Sequence, residues 1–378
     1  MRSPRFRDTN SVGSYKLLFL LAIIAACFCP TVAFGQTVIN DNWTGGGVGA
    51  LCDGTFSNGC WSNPANWSNG VPNNSSDGTT VYNVIIDSGG TDNAILDMNV
   101  TINSLVLGGT KGTAVSTLSS ETNKTLDITG SLTVDKEGKL DFKEDALTVS
   151  GNTIVAGRLF DANGTFSFNT LTNSATISIT GVKNFPAVFE AASIANTGTI
   201  DLGGDSTLNS AGIYTQTKGT TSLTGPAEIS AASFSIGGGT IHGSGTITGD
   251  VNLTGSKMVP VLTHANSIFY NGFTVSGNFT ETNKSNLTEV FGVDDPLTTA
   301  FPEMSGMADV NGTLTVTMSD GDTTYVGQTS PVVVAQGGII GTFTTLNLPT
   351  PPAGASWQIN YNGVYNSYPA IVITVVAN

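Results

Sequence analysis

Six Ser/Thr-plus-aliphatic pairs recur through the middle of the sequence at nearly constant spacing: Ser131-Leu132, Thr153-Ile154, Thr176-Ile177, Thr199-Ile200, Ser222-Leu223 and Thr246-Ile247. Their aliphatic members follow one another at a step of about 23 residues, a period that marks a solenoid. In such a fold each repeat buries its apolar face only against its neighbours. A second inward position follows two residues later in the first four pairs, at Val134, Ala156, Ile179 and Leu202. In the last two pairs Gly225 and Gly249 take that place. The spacing predicts that the six aliphatics stack as one inward column, with successive coils about 4.8 Å apart.

The local pattern is that of strands and turns. Beyond Gly35 no segment carries a helical period. Short runs such as Leu126-Asp-Ile128, Leu140-Asp-Phe142 and Leu147-Thr-Val149 alternate apolar and polar residues between Gly, Asn, Asp and Ser. That alternation suits strands of three to five residues. The expected fold is all-β: a right-handed parallel β-helix over residues 100–270, with a Trp-rich N-terminal cap at 36–99 and a β-rich C-terminal cap at 271–378. Caps are required because an open coil exposes a sheet edge. Asn173 and Asn196 occupy matching turns, Thr-Asn-Ser-Ala-Thr-Ile and Ala-Asn-Thr-Gly-Thr-Ile. They either stack as an amide ladder or face solvent.

The first residues read as an export signal. Arg2, Arg5, Arg7 and Lys16 precede an apolar run from Leu17 to Ala26, and Ala33-Phe34-Gly35 offers a small-x-small site, with cleavage predicted after Gly35. Ile24-Ala25-Ala26-Cys27 competes as a lipoprotein box with a lipid on Cys27. From Gln36 on there are 10 basic and 27 acidic residues, a net charge of −17, and Arg158 is the single arginine. Such a chain lacks the basic clusters needed by a nucleic-acid binder or for an anionic lipid surface. The sequence after the signal offers no transmembrane helix. Cys52 and Cys60 are the two cysteines left after the signal, and in an exported chain they are expected to form a disulfide.

Three of the four tryptophans, Trp43, Trp61 and Trp67, crowd together near the start of the chain that follows the signal. The pattern of Trp61, Asn66, Trp67, Gly70, Val71 and Pro72 resembles exported bacterial β-helix proteins. These are the autotransporter-associated β-strand repeat proteins and PEP-CTERM-type extracellular proteins. The Gly-rich stretch from Tyr214 to Gly249 is similar to their late coils. Gly341-Thr-Phe343 and Trp357-Gln-Ile-Asn-Tyr361 are similar to their C-terminal segment. The resemblance implies a right-handed parallel β-helix, exported and surface-associated, with no catalytic residues to carry over. The sequence shows neither the hydrophobic sorting helix nor the long amphipathic strands of a membrane barrel. The expectation is therefore a released or matrix-held protein.

Catalytic chemistry finds little material. Arg158 lies in a turn-like Gly157-Arg-Leu-Phe-Asp161, His242 sits between glycine-rich neighbours, and Asp294-Asp295 is an adjacent acidic pair in a loop-like Gly-Val-Asp-Asp-Pro. Glycoside hydrolysis needs two facing carboxylates rather than adjacent ones. No cofactor is expected, with calcium the one possibility. Asp320 and Asp322, and the cluster Asp135, Glu137, Asp141, Glu144 and Asp145, supply hard oxygens, although Lys136, Lys139 and Lys143 partly neutralise the cluster. Trp43, Trp61 and Trp67 either stack on sugar rings or plug the open end of the helix. The expected role is a non-enzymatic, secreted structural or adhesive protein presenting an extended surface to carbohydrate, matrix or cells. The alternatives are a polysaccharide lyase or hydrolase, or a carbohydrate-binding module built on the tryptophan segment.

Overall fold

The computed structural model describes residues 35–47, 51–52, 55–56, 59–87, 92–109, 114–265, 268–291, 300–318 and 323–378. The chain divides into two compact units, Met1–Gln36 and Thr37–Asn378. The export signal, Cys27, Asp294, Asp295, Asp320 and Asp322 lie outside the described residues.

Thr37–Asn378 is a parallel β-helix in which each coil lays down three strands. Ser104–Leu107 is followed by Ser116–Ser120, then Thr125–Ile128, and the chain returns to the first face at Leu132–Val134. Every step to the next coil on a face pairs parallel, for example Leu105 with Leu132, Leu118 with Leu140, and Leu126 with Leu147. The second face is a 12-stranded sheet. From Ala146–Val155 to Gly245–Leu253 the third and first faces are carried by single long strands, most of their pairings shifting register at the corner, and the two faces together belong to a 20-stranded sheet. At the strand spacing of parallel stacks, twelve rungs span roughly 50–60 Å. The second face contributes one continuous inward column. Ala94, Leu118, Leu140, Leu159, Ile177, Ile200, Thr221, Ile241, Met258, Leu287 and Leu314 stack in register, all buried.

That column corrects the expected register. Ile177 and Ile200 do pair. Ile200 next pairs with Thr221, however, and Leu223 pairs with Leu202. Leu132, Ile154 and Ile247 lie on the other sheet altogether. Ile154 points outward, 46% exposed, while its neighbour Thr153 faces in opposite Leu132. Between Leu118 and Met258 the steps along the second-face column are uneven. The longest runs from Ile177 to Ile200 and the shortest from Ile241 to Met258. All three faces use the same short strand pattern, so a fixed step drifts from one face to another when coil length varies.

The parallel stack also extends beyond residues 100–270. Thr37–Asn42 pairs parallel with Thr80–Ile86 at one end, and Asn286–Phe291, Thr313–Met318 and Thr345–Asn347 continue the second face at the other. The last three coils on that face are longer. The steps from Met258 to Leu287, Leu287 to Leu314 and Leu314 to Leu346 each exceed every earlier one in the column, which hides them from an even pattern. Antiparallel pairing closes only the third face. There Tyr368–Ala377 runs between Thr329–Ala335 and Ala355–Tyr365. Tight corners fix some residue types: Gly219 has φ +72°, and a Cβ there would lie 1.8 Å from the Gly198 carbonyl oxygen. No helix among the described residues is long and apolar enough to cross a membrane.

Candidate functional site

The tryptophan segment forms the first coil. Cys60 bridges Ile95 on the second face, and the Asn74 amide donates to the Thr101 carbonyl on the third. Between them the indoles turn inward. Trp43, Trp61 and Trp67 are 4%, 0% and 5% exposed, with ring centroids 4.9 Å apart for Trp43–Trp67 and 4.6 Å for Trp61–Trp67, in edge-to-face arrangement. Trp61 Nε1 donates to the Pro72 carbonyl at 3.0 Å, and Trp67 Nε1 to the Trp61 carbonyl at 2.7 Å. Buried Asn66 ties the segment together, its Nδ2 donating to the Cys60 carbonyl while its Oδ1 accepts from the Gly47 amide. Of the two sequence readings the geometry fits the plug: three indoles with buried faces have nothing left to offer a sugar ring. Cys52 and Cys60 are joined as a disulfide, with Cα atoms 5.6 Å apart. Their proximity to Asp97 is the one metal-like grouping among the described residues. It is spoken for, because both sulfurs are in the disulfide and the Asp97 carboxylate accepts from the Ser62 amide and hydroxyl.

The acidic cluster considered for calcium does not converge. Asp141 pairs with Lys139 at 2.6 Å on the outer surface. Asp145 instead is buried, accepting from the Ser120 hydroxyl and the Lys124 and Lys143 amides, so it pins the corner between adjacent coils. Burial pushes its carboxyl above the usual range, against those hydrogen bonds. Arg158 and His242 are both exposed, on different rungs of the second face. They meet neither each other nor a carboxylate pair.

The lumen holds polar groups that the sequence reading partly missed. Asn173 and Asn196 do form a buried ladder: Asn173 Nδ2 donates to Asn196 Oδ1 at 2.9 Å. A third rung follows, because Asn196 Nδ2 donates to Gln216 Oε1 at 3.0 Å, and Gln216 also accepts from the Thr221 hydroxyl. Tyr214, fully buried, completes the network by bonding Thr221. An amide uses both its donor and its acceptor along the stack, which is why it survives burial. Three carboxyls are less well served. Burial pushes Asp161 up to about 7 and Glu281 up to about 8, and raises Glu289 well above the usual carboxylate range. Both oxygens of Glu281 and of Glu289 lack a hydrogen-bond partner of ordinary geometry, and Glu281 stands in the aliphatic column between Leu253 and Val310. Carboxyls displaced in this way often mark catalytic groups. These face the packed lumen, out of reach of an external substrate.

What the outer surface offers is regular and polar. On the third face Ser167, Glu190, Asn209 and Ser230 lie side by side on successive rungs. Beside them, at the corner with the first face, is a groove of about 420 Å³. The nearest other carboxylate on that face is Glu228, two rungs and two positions away. Strand geometry puts the two backbones about 12 Å apart there. The Glu228 carboxylate accepts from the Thr248 hydroxyl, on the rung farther from Glu190. No protein-family model matches this chain, and no curated protein shows significant similarity to it.

Proposed function

We propose that this is an exported, non-enzymatic structural or adhesive protein of the bacterial β-helix kind, presenting the outside of its solenoid to carbohydrate, matrix or another cell. The observation that carries the reading is the way the molecule spends its chemistry. Its aromatic cluster plugs the first coil, its amides and its strongly perturbed carboxyls are inside the stack, and its outer faces carry Ser, Thr and Asn in register. A rigid stack of parallel strands supports recognition by repetition over many rungs rather than by one deep pocket. The acidic balance of −17 after the signal keeps such a surface soluble and disfavours anionic partners. Export is supported by the basic and apolar N-terminal pattern.

The purified protein should be retained on surfaces coated with neutral polysaccharide or extracellular matrix and should compete with cells for those surfaces. Absence of retention on every coating, for protein whose β-sheet circular dichroism is intact, would end the adhesive reading.

A further inference from the structure

We propose that the free edge of Ala355–Tyr365 is a dimerisation strand, pairing antiparallel with the same strand of a second copy of this chain across a twofold axis at Gln358. This interface is independent of any ligand on the outer faces. Ala355–Tyr365 is the last strand of the third face. It pairs with Tyr368–Ala377, and among the described residues no strand covers its other side. The first and second faces also end on strands paired on one side only, but Ile339–Gly341 and Thr345–Asn347 are three residues long.

Hydrogen bonds fix which backbone groups are free. In an antiparallel pair, residues bonded to each other alternate with residues that are not. The Asn378 amide donates to the Gly354 carbonyl at 2.9 Å. The Val375 amide donates to the Gln328 carbonyl, and the Val375 carbonyl accepts from the Gly327 amide, on the opposite side. Trp357 stands opposite Val375 and Ile359 opposite Ile373, so both turn their N–H and C=O groups toward the free edge. The strand is held firmly there. Trp357 Nε1 donates to the Pro349 carbonyl at 2.7 Å, the Tyr361 hydroxyl accepts from the Phe343 amide at 3.2 Å, and Trp357, Ile359 and Tyr361 pack against the core.

The edge is undefended. Proteins that stay monomeric blunt such an edge with charge, proline, a bulge or a covering loop. Ala355–Tyr365 has no charged residue and no proline, and its register shift lies beyond Asn360. The whole stretch 323–378 lacks a charged side chain, in a chain that carries −17 after the signal. Copies of so acidic a protein repel one another wherever charge faces charge. This neutral end is where two of them can meet.

The same backbone groups set the axis. Centred on Gln358, Trp357 exchanges both bonds with Ile359 of the second copy, and Ile359 does so with its Trp357. Centring on Trp357 would need the Ala355 amide, which already donates to the Pro352 carbonyl at 3.0 Å. Centring on Ile359 would bring in Tyr361, at the register shift. In the Gln358 register that exposed amide faces its own copy, Ser356 faces Asn360, and Trp357 faces Ile359, polar against polar and apolar against apolar. A twofold pairing of this kind closes at two chains.

Sedimentation of the purified protein over a range of concentrations should show a monomer–dimer equilibrium. It should tighten as salt is raised, because salt screens the repulsion between two acidic bodies. Gln358→Lys puts like charges face to face on the axis and should weaken the dimer roughly tenfold or more. The circular dichroism of that variant should match wild type, since Gln358 is exposed. Gln358→Cys should form an intermolecular disulfide on oxidation, the facing Cα atoms of such a pair lying about 4.5 Å apart. Wild type and Thr172→Cys, at an exposed position in the middle of the solenoid, should not cross-link. A monomer at every concentration, open-ended polymers, a dimer weakened by salt or indifferent to Gln358→Lys, or equal cross-linking of Thr172→Cys and Gln358→Cys would overturn the assignment.

Discussion

Stability should fall as pH rises through neutrality, and the cause should be traceable to Glu281 and Glu289. Glu281 is 1% exposed and its carboxyl is pushed from its ordinary 4.5 to about 8 by burial; Glu289 is fully enclosed and also displaced upward. A raised acid favours the folded state fully only below its unfolded value. Between that value and the folded one, the unfolded chain ionises while the folded chain stays protonated, so stability drains with rising pH. From about pH 6.5 to about pH 8, Glu281 should remove roughly 1–2 kcal/mol and Asp161, pushed up to about 7, roughly 1 kcal/mol more, with Glu289 adding in the same direction. This window lies above the titration of ordinary surface carboxylates, so growing self-repulsion of the acidic surface contributes little to it. For a chain of this size the Glu281 and Asp161 contributions alone correspond to a midpoint lowered by roughly 3 °C. Differential scanning calorimetry at the two pH values reads it directly. The Glu281→Gln/Glu289→Gln double variant, which keeps shape and removes the charge, should lose most of the dependence. A wild-type midpoint that does not move, or a double variant that falls as steeply as wild type, would refute the assignment of buried neutral carboxyls.

Two substitutions probe the lumen and its plug. Asn196→Ala removes the middle rung of the amide ladder, orphaning the Gly198 amide and leaving a void. It should cost about 2–4 kcal/mol in chemical denaturation, and a change under about 0.5 kcal/mol would show that the ladder is not formed. Trp61→Ala should cost about 3–5 kcal/mol and flatten the near-ultraviolet circular dichroism of the stacked indoles. If Trp61→Ala instead folds as wild type and loses only saccharide binding, the indole is a ligand contact and not a plug.

The sequence made the class of fold plain and its register obscure, for one physical reason. Alternation of the Leu126-Asp-Ile128 kind marks a strand with one face buried, and it does so on any of the three faces. The pairs at Leu132 and Ile177 therefore look alike although they lie on different sheets. Coils as unequal as the one from Ile241 to Met258 and the one from Leu314 to Leu346 leave no fixed step to tell them apart. Asn173 and Asn196 could be aligned in the sequence because they stand in matching turns, which left a ladder as one of two readings. Gln216 escaped because its coil is shorter and its side chain differs, although a buried-side polar residue ahead of a Lys-Gly turn was a signal. Glu289 had a readable signal too, since it alternates with Leu287 and Phe291 on the inward side of a strand. The groove could not be read at all, because it depends on which residues from four separate coils stand in one column.

On the proposed function the outer surface recognises a polysaccharide and does not react with it. Prolonged incubation of the purified protein with neutral polysaccharides and with polyuronates, followed by assay for new reducing ends and unsaturated products, tests it most directly. The proposed function predicts bound protein with intact polymer. Enzyme-dependent product from any of these polymers would contradict it.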